Sequence, residues 1–199
     1  TPSVADYRLF AIDPSGATAA TPYSSGKTPA DLSKVPVGEY ELRVKHRDWE
    51  LPKKVVVKRN ETSAAEIVFP YGSLQVTVPP NVSAALRSKD RMIKPADFNE
   101  IKPDNYELTV SGEGSEPVTQ LVVIGENDHK KLDFAALNVS SQPLKGVEIL
   151  IGEKWHETAL AKSLLLPTGD RTVNARCGKY KKDQVVKVAR GASPAHFDF

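Results

Sequence analysis

The chain has 199 residues, 40% of them hydrophobic, and a formal net charge of +2 at pH 7. This composition is typical of a globular protein and argues against disorder, and no run reaches the roughly 18 apolar residues of a membrane span. The near-neutral charge offers no global field that would attract nucleic acid or an anionic surface. The first residues, from Thr1, resemble no signal peptide and include no initiator methionine, so we expect a piece of a longer chain.

The first predicted element is an opening strand that recurs along the chain. Residues 74–80 (Leu-Gln-Val-Thr-Val-Pro-Pro) match residues 137–143 (Leu-Asn-Val-Ser-Ser-Gln-Pro), and residues 7–14 are placed at the same position of a first copy. In the second and third copies a proline ends this strand, because proline has no amide hydrogen with which to continue a ladder. Each copy is therefore predicted to open on a short strand.

The second recurring element is a turn containing proline, followed by a strand of alternating pattern. It spans residues 35–44, 101–110 and 166–175, and in the first copy apolar side chains recur at every second position. Strict alternation of this kind predicts a half-buried antiparallel strand with one face on the core. The apolar face is formed by Tyr40, Leu42 and Val44.

Aromatic rings at the start of these strands are expected to be buried. We predict that Tyr40 and Tyr106 bury their rings while the hydroxyls reach a backbone group at the sandwich edge. Arg171 takes the equivalent place in the third copy, where its aliphatic stem is expected to cover the core. Cys177, the one cysteine, follows on the same face and is predicted to be buried.

The third recurring element ends each copy. Residues 55–69, 120–134 and 185–199 align without a gap, each as an apolar run, a polar turn and a short terminal strand. The last residues, Phe69, Phe134 and Phe199, are spaced 65 residues apart. Three elements in one order, three times, predict an all-β chain of three tandem small Ig-like β-sandwich repeats. The predicted repeats span residues 1–70, 71–135 and 136–199.

At this point the pattern resembles a known family, the PEGA domains. Their cadence is seen in residues 26–44, Gly-Lys-Thr-Pro-Ala-Asp-Leu-Ser-Lys-Val-Pro-Val-Gly-Glu-Tyr-Glu-Leu-Arg-Val, with Trp49 and the run 55–62 following. The resemblance is good in the first copy, moderate in the second and weaker in the third, where Arg171 replaces tyrosine. It covers the whole chain, although the literal Pro-Glu-Gly-Ala tetrapeptide is absent.

The resemblance implies small Ig-like sandwiches of bacterial and archaeal surface proteins. In some bacteria such domains also form extracytoplasmic parts of membrane-bound serine/threonine protein kinases. The family carries no catalytic residues, so the resemblance implies structural motif positions and no catalytic site. A location in the periplasm or at the cell surface, with any anchor outside this chain, follows as an expectation; the residues themselves leave a cytoplasmic location open.

The sequence contains no motif typical of an enzyme active site or of a bound metal. The four histidines fall at unrelated places in the three repeats and form no H-x-H, H-E-x-x-H or C-x-x-C spacing. No G-x-S-x-G elbow occurs, and the Gly112-Glu-Gly-Ser115 run precedes no helix that would make it a phosphate loop. We therefore expect no catalytic, cofactor-binding or metal-binding residues, while paired carboxylates for glycoside hydrolysis stay open.

Exposed aromatics and a basic run are the candidate partner-contacting residues. Trp49 and Tyr180 occupy equivalent loop positions, and each either stacks on a sugar or protein partner or folds over its own core. The basic run 176–182 is too short for a nucleic-acid face on a near-neutral chain. The candidates for partner contact are Trp49, Trp155, Lys179, Tyr180, Lys181 and Lys182.

The sequence predicts a non-catalytic structural and interaction array of a larger bacterial membrane or surface protein. The expected partner is a protein or a second copy, or a cell-surface glycan; nucleic-acid binding and direct membrane insertion are not expected. One alternative is a carbohydrate-binding module. Another is a set of accessory domains of an enzyme whose catalytic part lies outside this chain.

Overall fold

The computed structural model describes residues 4–89, 91–142, 145–151, 154–157, 163–191 and 195–199. It separates two compact units, Thr1–Pro70 and Tyr71–Phe199. Regular structure in these residues is β-strand apart from one 3-10 turn at Pro95–Asp97, so the predicted all-β class is confirmed. The division into three repeats at residues 70 and 135 stays a prediction.

The first unit contains one antiparallel sheet of four strands in the order β2-β1-β3-β4. Tyr7 and Leu9 pair with Val44 and Leu42, so apolar residues at alternate positions gather on one face. Tyr40 and Val44 are buried there, while Leu42 is only half-buried. The strands are β1 (Asp6–Ile12), β2 (Ser24–Lys27), β3 (Gly38–His46) and β4 (Trp49–Val57).

Two predictions for the first unit are wrong. Residues 58–71 form no strand, although the pattern ending in Ile67 and Phe69 predicted one. Residues 7–14 are not the counterpart of residues 74–80 either, because β1 pairs with β3, the strand that follows the Pro-Gly turn. A short alternating run predicts that a strand can form, but it does not predict which other strand will pair with it.

In the described residues of the second unit, the remaining strands are arranged in four sheets. The sheet orders are β10-β8-β6-β7, β5-β11-β15-β9, β12-β18 and β14-β13-β16-β17. The strands are β5 (Ser73–Thr77), β6 (Val82–Arg87), β7 (Met92–Ile93), β8 (Asp104–Gly112), β9 (Ser115–Glu116), β10 (Val118–Ile124), β11 (His129–Leu137), β12 (Val139–Gln142), β13 (Val147–Ile151), β14 (Lys154–Glu157), β15 (Ser163–Pro167), β16 (Gly169–Cys177), β17 (Tyr180–Val188) and β18 (Ala195–Asp198).

Two hydrophobic cores lie within this second unit. The buried residues of core A are Leu74, Leu86, Phe98, Ile101, Tyr106, Leu108, Val110, Val122, Ile124, Phe134 and Leu165. Those of core B are Ala135, Leu137, Val147, Ile149, Leu164, Val173, Ala175, Val186, Val188, Ala195 and Phe197. Sheets on more than one side enclose each core, which is a sandwich-like arrangement.

A ladder shared by both cores joins them. Residues 134–137 of β11 pair antiparallel with residues 164–167 of β15, and this pairing is called the shared ladder. Phe134 and Leu165 belong to core A, whereas their strand neighbours, among them Ala135 and Leu164, belong to core B. Because successive side chains of a strand point to opposite faces, one ladder forms a wall of both cores.

Parallel pairing places the terminal segments beside opening strands. β11 runs parallel to β5 in register His129↔Ser73, and β18 runs parallel to β12 in register Ser140↔His196. The opening strand therefore lies next to the terminal strand, not next to the strand that follows it in sequence. Two parallel neighbours need a long crossover connection. In each ladder that connection consists of the antiparallel strands that lie between the two in sequence.

The gapless alignment of the terminal segments is wrong in detail. Val55 lies opposite Tyr40, whereas Val122 lies opposite Tyr106 and Val186 lies opposite Arg171. The alignment had matched Val55 with Gln120 and Val185, which are displaced from these positions by two residues and one. Strand pairing fixes the apolar face, so the length difference falls in the turns before the terminal phenylalanines.

The predicted environment of the strand-opening tyrosines is confirmed. Tyr40 is 4% and Tyr106 3% exposed. The Tyr40 hydroxyl donates to the Pro36 carbonyl at 2.9 Å, and the Tyr106 hydroxyl donates to the Lys102 carbonyl at 2.6 Å. Burial, together with the nearby Tyr23, raises the pKa of Tyr40. Each ring thus fills an inner face while its hydroxyl ties strand to turn.

The guanidinium of Arg171 replaces that hydroxyl. Its Nε donates to the Pro167 carbonyl at 3.0 Å, and its Nη2 donates to the Thr168 carbonyl at 3.1 Å. The carbonyl four residues upstream is thus the acceptor at the position equivalent to those that the two tyrosines use. Cys177, on the same strand, was predicted to be buried; it is only partly buried at the edge of core B because it lies where β16 ends at a hairpin.

Truncating the tyrosines is expected to destabilise each unit strongly. Tyr40→Ala in the first unit and Tyr106→Ala in the second should each cost about 3–5 kcal/mol, because a buried aromatic ring is lost. Tyr→Phe at either position should cost only about 1 kcal/mol, the net value of one hydrogen bond. Arg171→Ala, at an exposed side chain, should cost less than either alanine variant. Urea denaturation measures all five; equal, small shifts for the three alanine variants would contradict this assignment.

Candidate functional site

The outer face of the sheet β14-β13-β16-β17 carries a polar cluster around a tryptophan. Trp155 lies opposite Leu150, and Arg176 lies opposite Glu148, so these side chains share one face. The Arg176 guanidinium carbon lies 4.3 Å from the centre of the Trp155 ring, in cation–π contact. Its Nε and Nη2 donate to the two Glu148 carboxylate oxygens at 2.6 and 3.1 Å. Trp155, Arg176 and Glu148 are called the Trp155 cluster.

Charge pairing sets the protonation of this cluster. The hydrogen bonds from Arg176 lower the pKa of Glu148, and the Glu148 carboxylate raises the pKa of Arg176. Both side chains are about one-third exposed, so water screens the pair and its contribution to stability is small. The more important effect is geometric, because a bidentate Arg–carboxylate pair fixes the guanidinium plane over the indole ring.

Three candidate residues lie at or beside the hairpin that joins β16 to β17. Tyr180 is 62% exposed where β17 begins, and the ammonium group of Lys179 lies 5.5 Å from its ring centre. Lys181 lies opposite Arg176, on the same face as the Trp155 cluster. The structure therefore brings Trp155 and Lys181 onto one sheet face, with Lys179 and Tyr180 at its hairpin end.

Lys182 and Trp49 do not join this face. Lys182 lies opposite the buried Ala175, so it points to the other side, where its ammonium group donates to the Asp198 carbonyl and lies 5.4 Å from the Phe199 ring. Trp49 belongs to the first unit and packs edge-on against Phe69, with ring centres 5.6 Å apart. This contact matches the alternative that the loop aromatic folds over its own unit.

A serine, a histidine and an aspartate form an array that the sequence did not reveal. The Ser140 hydroxyl lies 2.8 Å from Nδ1 of His196, and Nε2 of His196 lies 2.9 Å from the Asp198 carboxylate. The side chains of His196 and Asp198 are 51% and 71% exposed. Ser73 and Nδ1 of His129 make a matching pair at 2.7 Å in the other parallel ladder. Both pairs place a hydroxyl beside an imidazole across two parallel strands.

Some of these side-chain contacts could have been expected from the sequence, and others could not. The spacing of His196 and Asp198 places both on one strand face, which the sequence alone could have indicated. Ser140 lies 56 residues away from His196 and reaches it only through parallel pairing. Arg176 and Glu148, 28 residues apart, likewise meet only because β13 and β16 are neighbours. Contacts of this kind depend on topology, which local pattern does not encode.

Clustered metal ligands and membrane-spanning helices are both lacking among the residues described. No group of three or more His, Cys, Asp or Glu side chains among them is placed to hold a metal ion. Within the same ranges, no helix has the length and apolar character needed to cross a membrane.

The Trp155 cluster is expected to open when Glu148 is protonated. The folded-state pKa of this carboxyl lies below its ordinary value of 4.5, so the pairing is complete above that value and is lost as pH falls through the lowered pKa. In a Trp49→Phe background, Trp155 fluorescence should stay constant between about pH 7 and 5 and change only below pH 4.5. Glu148→Gln should abolish the acid step, while Glu157→Gln, at the residue opposite Glu148, should retain it. A step in the Glu148→Gln variant would assign the titration elsewhere.

These features define the class of the protein as an all-β chain with sandwich-like cores, an outward-facing polar surface and short hairpins. Comparison with known families is consistent with that class: residues 13–72 match the PEGA domain family, so a PEGA domain lies in this part of the chain. The matched segment falls almost wholly in the first unit and begins after β1. No curated protein matches the chain.

Proposed function

We propose that this chain is a non-catalytic structural and interaction array, extracytoplasmic in location and part of a larger bacterial membrane or surface protein. A serine/threonine protein kinase is one such parent protein. A PEGA domain at residues 13–72 supports a surface-associated or extracytoplasmic role. The array binds a protein partner and holds that contact at a fixed distance from its attachment point.

The observation that carries this proposal is the shared ladder. Cores A and B are joined by two hydrogen-bonded strands and not by a linker, so bending between them would expose residues such as Phe134 and Leu137, each 1% exposed. Exposing buried apolar area costs about 25 cal/mol per Å². The second unit is therefore suited to work as a stiff spacer.

The surface chemistry supports binding over catalysis. In the Ser140–His196–Asp198 array the serine faces Nδ1 and the aspartate faces Nε2, the reverse of the hydrolase arrangement. The array is exposed, so no low-dielectric surroundings strengthen its hydrogen bonds or stabilise an oxyanion. The aromatic faces favour protein contact over sugar stacking, because Arg176 covers Trp155 and Trp49 packs on Phe69.

Mechanical coupling of cores A and B can be tested by destabilising one and observing the other. Leu86, fully buried in core A, is replaced by valine, which should cost about 1 kcal/mol. In the Trp49→Phe background, Trp155 beside core B reports unfolding by its fluorescence. The free energy of unfolding that it reports should fall by the same amount, which is seen as a lower urea midpoint. The matched control is Leu121→Val, at a 72%-exposed position on β10. An unchanged Trp155 midpoint in Leu86→Val would show that the cores unfold independently and would refute the spacer.

Absence of serine-hydrolase chemistry can be tested with an active-site probe. A fluorophosphonate reagent should not label Ser140 in the native chain, because the hydroxyl lacks a base at Nε2 and a buried oxyanion site. Ser140→Ala and His196→Ala serve as background controls, and intact-mass analysis measures the labelling. Stoichiometric labelling that both variants abolish would instead identify this array as catalytic.

A further inference from the structure

The first unit differs from the second in what lies beside its terminal segment. Residues 129–133 pair in parallel with β5, and residues 195–198 pair in parallel with β12. By the 65-residue spacing of the terminal phenylalanines, the corresponding segment of the first unit is 64–68. Within the described part of the chain, this segment joins no strand and makes no backbone–backbone hydrogen bond.

Side chains hold this segment near the sheet although it has no strand partner. The Lys53 ammonium group donates to the Glu66 carbonyl at 2.7 Å, and the Ser63 hydroxyl donates to the Val56 carbonyl at 2.7 Å. Phe69, the residue after the segment, is 5% exposed. The segment is therefore anchored at both ends, with backbone groups available between them.

A cleft of about 1200 Å³ lies alongside, within the first unit. Its apolar walls include Leu42, Val55 and Val57, all half-buried. The residues at the same places in core A are nearly inaccessible: Leu108 is 0%, Val122 5% and Ile124 1% exposed. The exposed rim includes Leu32 and Val37, at 40% and 65%.

The second unit shows what covers these positions. Leu74 of β5 is buried in core A, and Val76 and Val78 pack against the same core, while the residues between them are polar. In the other parallel ladder, Val139 of β12 packs against core B. The covering element of core A is thus an extended strand with apolar side chains at alternate positions. In both ladders the covering strand is hydrogen-bonded in parallel to the terminal strand.

We propose that the cleft of the first unit binds such a strand, supplied by a partner polypeptide and added in parallel beside residues 64–68. Backbone hydrogen bonds give affinity, and the pockets above Leu42, Val55 and Val57 select alternating apolar residues. A second copy of this chain is a poor donor, because β5 and β12, the strands of this chemistry, are already paired. This inference rests on the proposed role as a protein-binding array and names its binding site.

The probe is a synthetic peptide of residues 73–79, Ser-Leu-Gln-Val-Thr-Val-Pro, titrated into the full chain. Trp49, which contacts Phe69, reports binding in a Trp155→Phe background. We expect saturable binding of one peptide per chain, and at least about tenfold weaker binding of the peptide with glutamate at the position of Val76, since that carboxylate would enter an apolar cleft.

Chain variants provide a matched control for the parallel pairing. Ala64→Pro and Ala65→Pro each remove one amide hydrogen from an exposed residue of the segment. Successive amides of an extended strand point to opposite sides, so one variant should weaken peptide binding about tenfold and the other should bind as the unaltered chain does. Equal thermal midpoints of the two variants verify that both remain folded.

Three results would overturn the proposal: no saturable binding, equal affinity for the glutamate-containing peptide, or a dimer in sedimentation that one of the two proline variants dissolves and the other does not. The dimer would assign the cleft to a second copy. Peptide binding concerns the first unit alone, whereas coupling between cores A and B concerns the second unit. If the peptide does not bind but cores A and B unfold together, the cleft assignment is refuted. If the peptide binds but the cores unfold independently, the spacer role is refuted.

Discussion

The alternation of side chains across the shared ladder is the constraint on which the second unit depends. Phe134 and Leu165 fill core A from one face, while Ala135, Leu137 and Leu164 fill core B from the other. The two strands make one set of hydrogen bonds but serve two hydrophobic cores. Separation of these strands would therefore expose apolar surface on both sides at once, which is costly in water. This geometry is the reason why we expect the two cores to move as one body without a rigid linker.

The same logic explains the contrast between the two units. In the second unit, opening strands lie beside terminal strands and complete the walls of the cores. In the first unit, the inner face of the sheet is closed by Phe69 at one end, whereas Leu42, Val55 and Val57 keep part of their surface in contact with solvent. A unit of about 70 residues has little core to spare, so its stability is sensitive to whatever lies on that face.

Local pattern was sufficient for the fold class and for individual faces, and insufficient for pairing. The alternation around Tyr40 and Tyr106 correctly indicated buried rings with bonded hydroxyls, because the period of a strand is a property of the backbone. The parallel ladders, the Trp155 cluster and the Ser140–His196 contact join residues far apart in sequence. Arg171 takes the strand position of the tyrosines as predicted, but it is exposed and is not among the residues of core B. Its use of the equivalent carbonyl acceptor depends on the turn geometry.

The shared ladder also restricts how the gene for this protein can change. A deletion of one codon within residues 134–137 would reverse the parity of the side chains that follow it in β11, turning residues of core B such as Leu137 away from that core. A deletion of two codons would preserve parity and shorten the wall. Length variation at this place should therefore be inherited in pairs of residues, whereas turns outside the ladder can vary by single codons.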